Sequence, residues 1–398
     1  MKDWPSVALG DIFEIARGGS PRPIQNFLTE EPDGVNWVMI GDASDSSKYI
    51  THTKKRILKT GVKNSRMVYP GDFLLTNSMS FGHPYIMKTS GCIHDGWLVL
   101  SNKKGVIDQD YFYHLLGSDL IYAEFSRLAS GSTVKNLNIE IVKGIKVSLP
   151  PLEEQRRIAA ILDKADGVRR KRKEAIRLTE ELLKSTFLEM FGYSSDESVS
   201  IGELLDKGVL LLHKDGNHGS NYPRTSEFGI EGIPFLSANC FSDSGEMITD
   251  NVKFLSESKA NKLKLGWLEH SDVLLAHNAT VGRVALYDGR YKQALVGTSL
   301  TIFRPHREYL LPEFLFGVLR SEMFQKQLAH NMEQSTRNQV PITAQRDLKI
   351  KLAPLKKQLK FKELFHHVMN ISKKYESSNQ ESENLFNSLL QRAFRGEL

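Results

Sequence analysis

The chain contains two copies of one pattern, displaced by about 200 residues, and this duplication limits the folds it can adopt. The opening of the first copy, Val7, Leu9, Gly10, Asp11 and Ile12, matches the opening of the second, Val199, Ile201, Gly202, Glu203 and Leu204. A chain of 398 residues is also too long for one ordinary compact core. We therefore expect two related domains rather than one large one.

Further landmarks recur in the same order in both halves. Residues 70–75 with Gly82 match residues 270–275 with Gly282 at an offset of 200. At an offset of 203, Ser132, Thr133, Pro151, Leu152 and Gln155 match Ser335, Thr336, Pro354, Leu355 and Gln358. The first group predicts a strand, a polar loop and a glycine turn in each half. The second group predicts a helix that begins just after a proline.

Each half is expected to have a β-rich front followed by one long helix. Short β-like runs occupy residues 37–40, 73–76 and 273–276. The predicted segments are a first front at 1–150, a first helix at 151–192, a second front at 193–353 and a second helix at 354–398. The fold class is therefore mixed α/β (α+β), with an internal pseudo-twofold repeat.

A seven-residue repeat runs along both predicted helices at positions related by an offset of 203. The residues predicted to form the contact are Ile161, Val168, Leu182, Leu364, Val368, Ile371, Leu385 and Leu389. Because a long domain separates the helices, an antiparallel coiled coil is the natural pairing. About 38 residues at ~1.5 Å each would give a spacer of ~57 Å between the fronts. The alternative is that each stripe only buries its helix on its own domain.

Charge and cysteine content restrict the class of protein. The 53 Lys and Arg exceed the 47 Asp and Glu, giving a net charge of +6, which favours a polyanion without identifying it. Cys92 and Cys240 are far apart and outside any CxxC spacing, so the sequence predicts neither a disulfide framework nor a zinc site. The opening residues do not resemble a signal peptide, and no apolar run approaches the ~20 residues of a membrane span. We expect a cytoplasmic protein without a membrane segment.

The sequence carries no recognised catalytic motif. It has no phosphate-binding loop, no HExxH, no GxSxG and no Asn/Asp-Pro-Pro-aromatic motif for a flipped adenine. A nuclease could use Asp250 with the E-x-K at Glu257 and Lys259, but such spacing arises easily by chance. We therefore predict no catalytic residue, no metal ligand and no cofactor bound by this chain.

Polar loops at matching places in the two halves are the candidates for DNA contact. Residues 77–83 correspond to 277–283, and residues 130–136 correspond to a stretch ending at 339. Arg and Lys match guanine edges, and Asn and Gln match adenine edges. Because the loops share a frame but differ in content, they predict two different half-sites. For each loop the alternative is an ordinary surface turn, and for the cluster at residues 54–56 it is a solvated face.

The DNA-contact prediction covers residues of both halves. They are Lys54, Lys55, Arg56, Asn77, Ser78, Ser80, His83, Ser132, Thr133, Lys135, Asn136, His218, His277, Asn278, Thr280, Arg283, Ser335, Thr336, Arg337, Asn338 and Gln339.

Several motifs resemble those of the specificity (S) subunits of type I restriction-modification systems. The opening at 9–11 with residues 18–22 is similar to the family's entry to a target-recognition domain, and residues 215–219 with 232–235 look like a second version. The most specific likeness is the proline-led stretch at 150–163, repeated at 354–358 with lysines for glutamates. The ending Phe394-Arg395-Gly396-Glu397-Leu398 is also typical. The resemblance covers essentially the whole chain.

The resemblance implies a function and partners. Each front would be a target-recognition domain for one half of a bipartite DNA target, and the two helices would be the spacer. Two adenine methyltransferase (M) subunits would grip the helices, and motor-nuclease (R) subunits would join to restrict unmodified DNA. S-adenosylmethionine, ATP and Mg²⁺ would belong to those partners. The alternatives are a duplicated coiled-coil scaffold that binds only protein, and a DNA nuclease or methylase with an unfamiliar site.

Overall fold

The chain folds into two compact units, each of which contains one globular front. The computed structural model describes residues 4–43, 48–77, 81–102, 105–129, 136–192, 198–333 and 338–398. Unit 1 is Met1–Glu174 with Glu376–Leu398, and unit 2 is Ala175–Tyr375. The boundaries between the units fall inside the two long helices, so each unit includes a part of both. The division into four segments remains a prediction.

The described residues of unit 1 form three sheets. Its opening strand Ser6–Ala8 pairs antiparallel with Lys146–Ser148. One five-stranded sheet has the order Phe13–Arg17, Trp97–Asn102, Phe73–Thr76, Pro84–Met87 and Tyr49–Ile50, and the other has the order Leu28–Thr29, Lys55–Ile57, Val35–Val38, Gly91–Ile93 and Arg66–Val68. The α-helices of the front are Leu9–Ile12, Gln109–Leu116, Asp119–Leu128 and Ile139–Gly144, with 3₁₀ turns at Ile24–Asn26, Ile40–Asp42 and Lys59–Asn64.

Unit 2 repeats this arrangement with smaller sheets. Ser198–Ser200 pairs with Lys349–Lys351. One four-stranded sheet has the order Leu210–Asp215, Leu300–Pro305, Val273–Ala276 and Val284–Leu286, and the other has the order Phe228–Gly229, Lys253–Leu255, Ile233–Leu236 and Leu295–Val296. Its α-helices are Ile201–Asp206, Glu257–Ala260, Pro312–Arg320, Glu322–Glu333 and Ile342–Gln345, with 3₁₀ turns at Thr225–Glu227, Ala238–Cys240 and Thr249–Asn251.

The two fronts share one frame, as the sequence repeat predicts. The strand Phe73–Thr76 pairs with Trp97–Asn102 and Pro84–Met87, and Val273–Ala276 pairs in the same order with Leu300–Pro305 and Val284–Leu286. Both central strands are buried along their whole length, so they read as continuous apolar runs rather than as alternating patterns.

Side chains of the two long helices form part of the hydrophobic core of each front. The first helix, Leu152–Phe187, continues as a π-helical turn over Leu188–Gly192, and the second is Leu355–Phe394. In unit 1 their side chains join the core around Phe13 and Phe112. In unit 2 they join the core around Phe303 and Phe314. Among the described residues, no helix combines the length and apolar character needed to cross a membrane.

Contacts within unit 1 show that the helices run antiparallel. Arg169 lies 3.2 Å from Glu383 and stacks on the ring of Phe386, whereas Arg172 contacts Ser378 and Ser382. A later residue of the first helix therefore meets earlier residues of the second. The predicted coiled coil is confirmed as an antiparallel pair that also packs on the fronts.

The predicted seam is wrong at four positions, and at three of them the buried residue is the next one along the helix. Val168, Leu182, Leu364 and Leu385 are 43%, 51%, 45% and 58% exposed. The buried residues next to them are Leu183, Phe365 and Phe386, while Val368 is buried as predicted. Ile161 and Ile371 are half-buried, and Leu389 packs against the unit 1 core. The register shifts because each helix must face its front as well as the other helix, which moves the centre of the buried face.

Candidate nucleic-acid interface

In unit 1 the two predicted contact loops meet at Asn77. This residue follows the buried strand Phe73–Thr76, and its carbonyl oxygen accepts a hydrogen bond from the backbone amide of Leu137 at 2.9 Å. The Asn77 side chain is buried, and its Nδ2 donates to the carbonyl oxygen of Asp95 at 2.8 Å. Its Oδ1 is buried without a hydrogen-bond partner. His83 and Asn136, which flank this meeting point in sequence, are exposed.

In unit 2 the same two loops meet at His277. Its carbonyl oxygen accepts from the backbone amide of Val340 at 2.9 Å. The adjacent residues Asn278 and Gln339 form an antiparallel bridge, and Asn338 donates from Nδ2 to the carbonyl oxygen of Ala279 at 3.1 Å. We call Asn77 with Leu137, and His277 with Val340, the loop joints of units 1 and 2.

The backbone of the two loop joints is the same. Matched hydrogen bonds are Asn77 N to Gly96 O (3.0 Å) and His277 N to Ser299 O (3.1 Å), and Gly82 N to Thr76 O (2.7 Å) and Gly282 N to Ala276 O (2.9 Å). Gly82 and Gly282 have φ of +85° and +95°, a conformation that glycine adopts without the steric cost of a Cβ. The described ends of the loops therefore share one backbone frame and carry different side chains.

Behind the unit 2 joint lies a buried polar chain. His277 Nδ1 is 2.9 Å from the hydroxyl of Thr301, and that hydroxyl donates to Asp215 Oδ1 at 3.0 Å. Gln345 donates from Nε2 to the same hydroxyl at 3.0 Å, and its Oε1 lies 3.1 Å from His213 Nε2. Burial lowers the pKa of both histidines, against the opposing attraction of Asp215. Both imidazoles are therefore held toward the neutral form.

Next to the unit 1 joint, several side chains donate hydrogen bonds to Asp95 rather than to a threonine hydroxyl. Its carbonyl oxygen accepts from Asn77 and from Arg17 Nε at 3.0 Å, and its Oδ1 accepts from the Ser20 hydroxyl at 2.8 Å. The hydrogen bond from Ser20 is the main reason that the pKa of Asp95 is lowered. Sequence reasoning missed Asp95 and Thr301 because neither belongs to a predicted contact loop, and the repeat gave no signal for them.

Other predicted contact residues lie elsewhere or are already engaged. Lys54 precedes the exposed strand residues Lys55 and Arg56, in a different sheet from the strand that leads to Asn77. The guanidinium of Arg283 bonds Asp243 Oδ1 from Nε (2.9 Å) and Nη2 (2.6 Å) and two carbonyl oxygens from Nη1, so its donors serve the fold of unit 2.

The remaining predicted residues divide into exposed and undescribed ones. His218 is exposed, and its Nδ1 lies 3.0 Å from the carbonyl oxygen of Gly216. Thr280 is also exposed. Ser78, Ser80, Ser132, Thr133, Lys135, Ser335, Thr336 and Arg337 lie outside the described residues. The DNA-contact assignments therefore stay predictions.

No metal site is present among the residues that the structure describes. No group of three or more His, Cys, Asp or Glu side chains is arranged to hold an ion there. At the E-x-K considered above, Lys259 forms an ion pair with Glu227 at 2.7 Å. Cys92 and Cys240 are free and buried.

Ion pairs link each front to a long helix, at positions that correspond in the sequence repeat. In unit 1, Lys48 bridges Asp110 (2.6 Å) and Asp163 (2.8 Å), and His114 Nε2 lies 2.7 Å from Asp163. Burial raises the pKa of Asp163, but hydrogen bonds from His114 and Lys48 outweigh it and lower the pKa to about 2. In unit 2 the matching residues, 203 positions later, are Glu313 and His366, which pair directly at 2.8 Å.

Comparison with known proteins finds a family over most of the chain. The profile described as "Type I restriction modification DNA specificity domain" matches residues 1–178 and 200–381. The two matches fall one in each half of the sequence repeat.

Curated relatives extend over nearly the full length. The type I restriction enzyme MjaVIII specificity subunit of Methanocaldococcus jannaschii is 24% identical over 387 residues, covering 93% of this chain and 87% of the relative. The type I restriction enzyme EcoBI specificity subunit of Escherichia coli is 19% identical over 420 residues, covering 99% and 86%.

Solved structures share the fold. The crystal structure of a type I restriction-modification S subunit from M. genitalium matches with a TM-score of 0.56 at 15% identity, covering 98% of this chain and 96% of that one. A chain from a study of complex assembly and conformational transition of the type I R-M system matches with a TM-score of 0.52 at 19% identity, covering 100% and 99%.

Proposed function

The chain belongs to the DNA specificity subunits of type I restriction-modification systems, and on this premise we propose that each of its units reads one half of a bipartite DNA target through its loop joint. The observation that carries the proposal is the pair of matched joints, Asn77 with Leu137 and His277 with Val340, which keep the same backbone hydrogen bonds. Because the frames are equal and the side chains differ, the two half-sites would differ in sequence.

The chemistry available at each joint supports base reading. Unit 1 offers the exposed residues His83 and Asn136, and unit 2 offers the exposed residues Thr280 and Asn338 and the half-buried Gln339. Amide side chains match the N6 and N7 atoms of adenine, and hydroxyl groups accept or donate at any base edge or phosphate. Arg283 would not take part in base reading by unit 2, since its guanidinium is engaged internally.

Specificity subunits act as parts of larger complexes, and we propose two methyltransferase subunits and motor-nuclease subunits as the partners of this chain. Exposed apolar side chains on the long helices support a protein partner there, because large apolar surfaces in water are costly. They are Val168, Leu178, Leu182, Leu359, Leu364 and Leu385. S-adenosylmethionine, ATP and Mg²⁺ would bind to those partners. The site of action would be the cytoplasm, where the target DNA lies.

The decisive test is to co-express this chain with a type I methyltransferase subunit from the same source and to map methylated adenines on plasmid DNA. We expect a split motif with an unspecified gap, which is lost when this chain is omitted. Exchange of residues 1–150 for those of another specificity subunit should alter one half of the motif and leave the other unchanged.

The outcome that contradicts the proposal is equally definite. If the chains assemble with an active methyltransferase but methylate without sequence preference, the chain does not specify the target. Exchange of residues 1–150 that altered both halves of the motif would contradict the assignment of one unit to each half-site.

A further inference from the structure

The hydroxyl of Thr301 is the centre of the buried polar chain behind the unit 2 joint. A threonine hydroxyl has one hydrogen to donate and two lone pairs to accept. Three polar groups surround it at 2.9 to 3.0 Å: Asp215 Oδ1, Gln345 Nε2 and His277 Nδ1. Thr301 is fully buried, so no water competes for these bonds. The one donor position and the two acceptor positions of the hydroxyl are therefore all occupied.

The direction of each bond follows from the partners. Gln345 Nε2 also donates to the carbonyl oxygen of Val340 at 2.9 Å, which fixes the amide with its nitrogen toward Thr301. A carboxylate can only accept, so the single hydroxyl hydrogen points to Asp215. The bond to His277 must then run the other way, with Nδ1–H as the donor.

This assignment determines what His277 can do. With the hydrogen on Nδ1, the neutral ring keeps a lone pair on Nε2, for which no partner is found among the described residues. The side chain is 8% exposed and belongs to the residue that carries the loop joint. Burial lowers the pKa of the His277 ring, which favours the neutral form. At Nε2 it can only accept a hydrogen bond, which suits the exocyclic amino groups of adenine and cytosine.

Resting on the proposed function, we propose that Thr301 is a positioning residue that fixes His277 as the Nδ1–H tautomer and thereby sets the specificity of unit 2 for its half-site. Among its described residues, unit 1 has no equivalent of the hydrogen bond between His277 and Thr301. Asn77 occupies the position of His277 there, and its side chain bonds a backbone carbonyl instead. The first half-site is therefore an internal control in every experiment.

The test compares Thr301→Val, which keeps the shape but removes the hydroxyl, with Thr301→Ser, which keeps the hydroxyl. Each variant is co-expressed with the methyltransferase subunit, and methylated adenines are mapped. For Thr301→Val we expect the second half of the motif to lose preference by about tenfold at one or more positions, with the first half unchanged. Thr301→Ser should retain the wild-type motif.

A second readout follows the histidine ring itself. In ¹⁵N-histidine spectra of the full chain, the His277 signal is identified by its loss in His277→Asn, the residue that unit 1 carries at this place. We expect the Nδ1–H pattern in wild type and Thr301→Ser, and a mixture of tautomers in Thr301→Val. If Thr301→Val does not fold, His277→Asn should still change only the second half of the motif.

Clear results would overturn the inference. They are an unchanged motif in Thr301→Val or in His277→Asn, equal loss in both halves of the motif, or a Thr301→Ser variant that behaves like Thr301→Val. A wild-type complex that methylates without any motif would instead remove the proposed function. In that case the tautomer spectra would still decide whether Thr301 holds His277.

Discussion

Replacing Gln155 with methionine should destabilise unit 1 strongly. Gln155 is completely buried and bonds three backbone groups. Its Oε1 accepts from Asp108 N at 2.7 Å, and its Nε2 donates to the carbonyl oxygens of Val106 (3.1 Å) and Pro150 (2.9 Å). Methionine has a similar volume, so the packing survives while the three groups lose their partner. The side chain thus ties the start of the first long helix to the front of unit 1.

The magnitude follows from those three bonds. A buried backbone group left without a partner costs about 1–3 kcal/mol, so we expect a loss of about 3 kcal/mol or more. For a unit of about 200 residues each kcal/mol lowers Tm by about 2–4 °C, which gives a drop of about 6–12 °C. Scanning calorimetry of the full chain measures it. Gln358→Met should lower the stability of unit 2 in the same way, because Gln358 bonds Leu311 N, Tyr309 O and Ala353 O.

Gln391→Met is the matched control, because Gln391 lies exposed on the second long helix and should leave Tm within about 1 °C of wild type. A Gln155→Met variant that stays within about 0.5 kcal/mol of the wild-type stability would show that these three bonds do not stabilise unit 1.

Three further predictions concern charge and packing. Because the pKa of Asp163 is lowered to about 2, its charge should stabilise the fold above about pH 4 and lose this effect as the pH falls through 2. Acid unfolding of Asp163→Asn should therefore converge with wild type near pH 2, and a constant gap would contradict the ion pair. Gly317→Ala should cost about 1–3 kcal/mol in urea unfolding, since its Cβ would overlap the ring of Phe187. Gly167→Ala, where a Cβ meets nothing within 4 Å in a helix, should instead stabilise by about 1 kcal/mol. If Lys54 and Lys55 bind phosphate, changing both to Gln should weaken binding by the assembled complex to all sequences alike and reduce the salt slope by about 2, and an unchanged slope would leave them as a solvated face.

The sequence repeat predicted the architecture because it records the backbone frame. Strands such as Phe73–Thr76 and Val273–Ala276 are buried along their length, and burial of this kind leaves an apolar run that survives divergence. Gly82 and Gly282 persist because their positive φ favours glycine. Gln155 recurs as Gln358 because each ties a helix start to its own front.

The coiled-coil register was not predictable from apolar spacing alone. Several buried positions on the helices are polar, among them Asp166, Thr179, Ser372 and Ser382. Asp166 is buried because Arg169 and Arg170 bond its carboxylate at 2.6 Å. Because the buried faces mix polar and apolar residues, apolar spacing alone allows a register one residue away from the observed one, as with Leu182 beside the buried Leu183. The contact partners needed for the correct register come from the fronts, which the helix sequence does not record.

The equivalent ion pairs show where the two halves were free to diverge. Asp110 and Asp163 are two carboxylates, which repel each other unless a cation lies between them, and Lys48 supplies it. In unit 2 the second carboxylate is replaced by His366, which pairs directly with Glu313. Both units thus keep an ion pair between front and helix, although the charged groups that form it differ. The loop joints follow the same rule, so a difference between the half-sites must arise from side chains such as His277 and Asn77 rather than from the backbone that carries them.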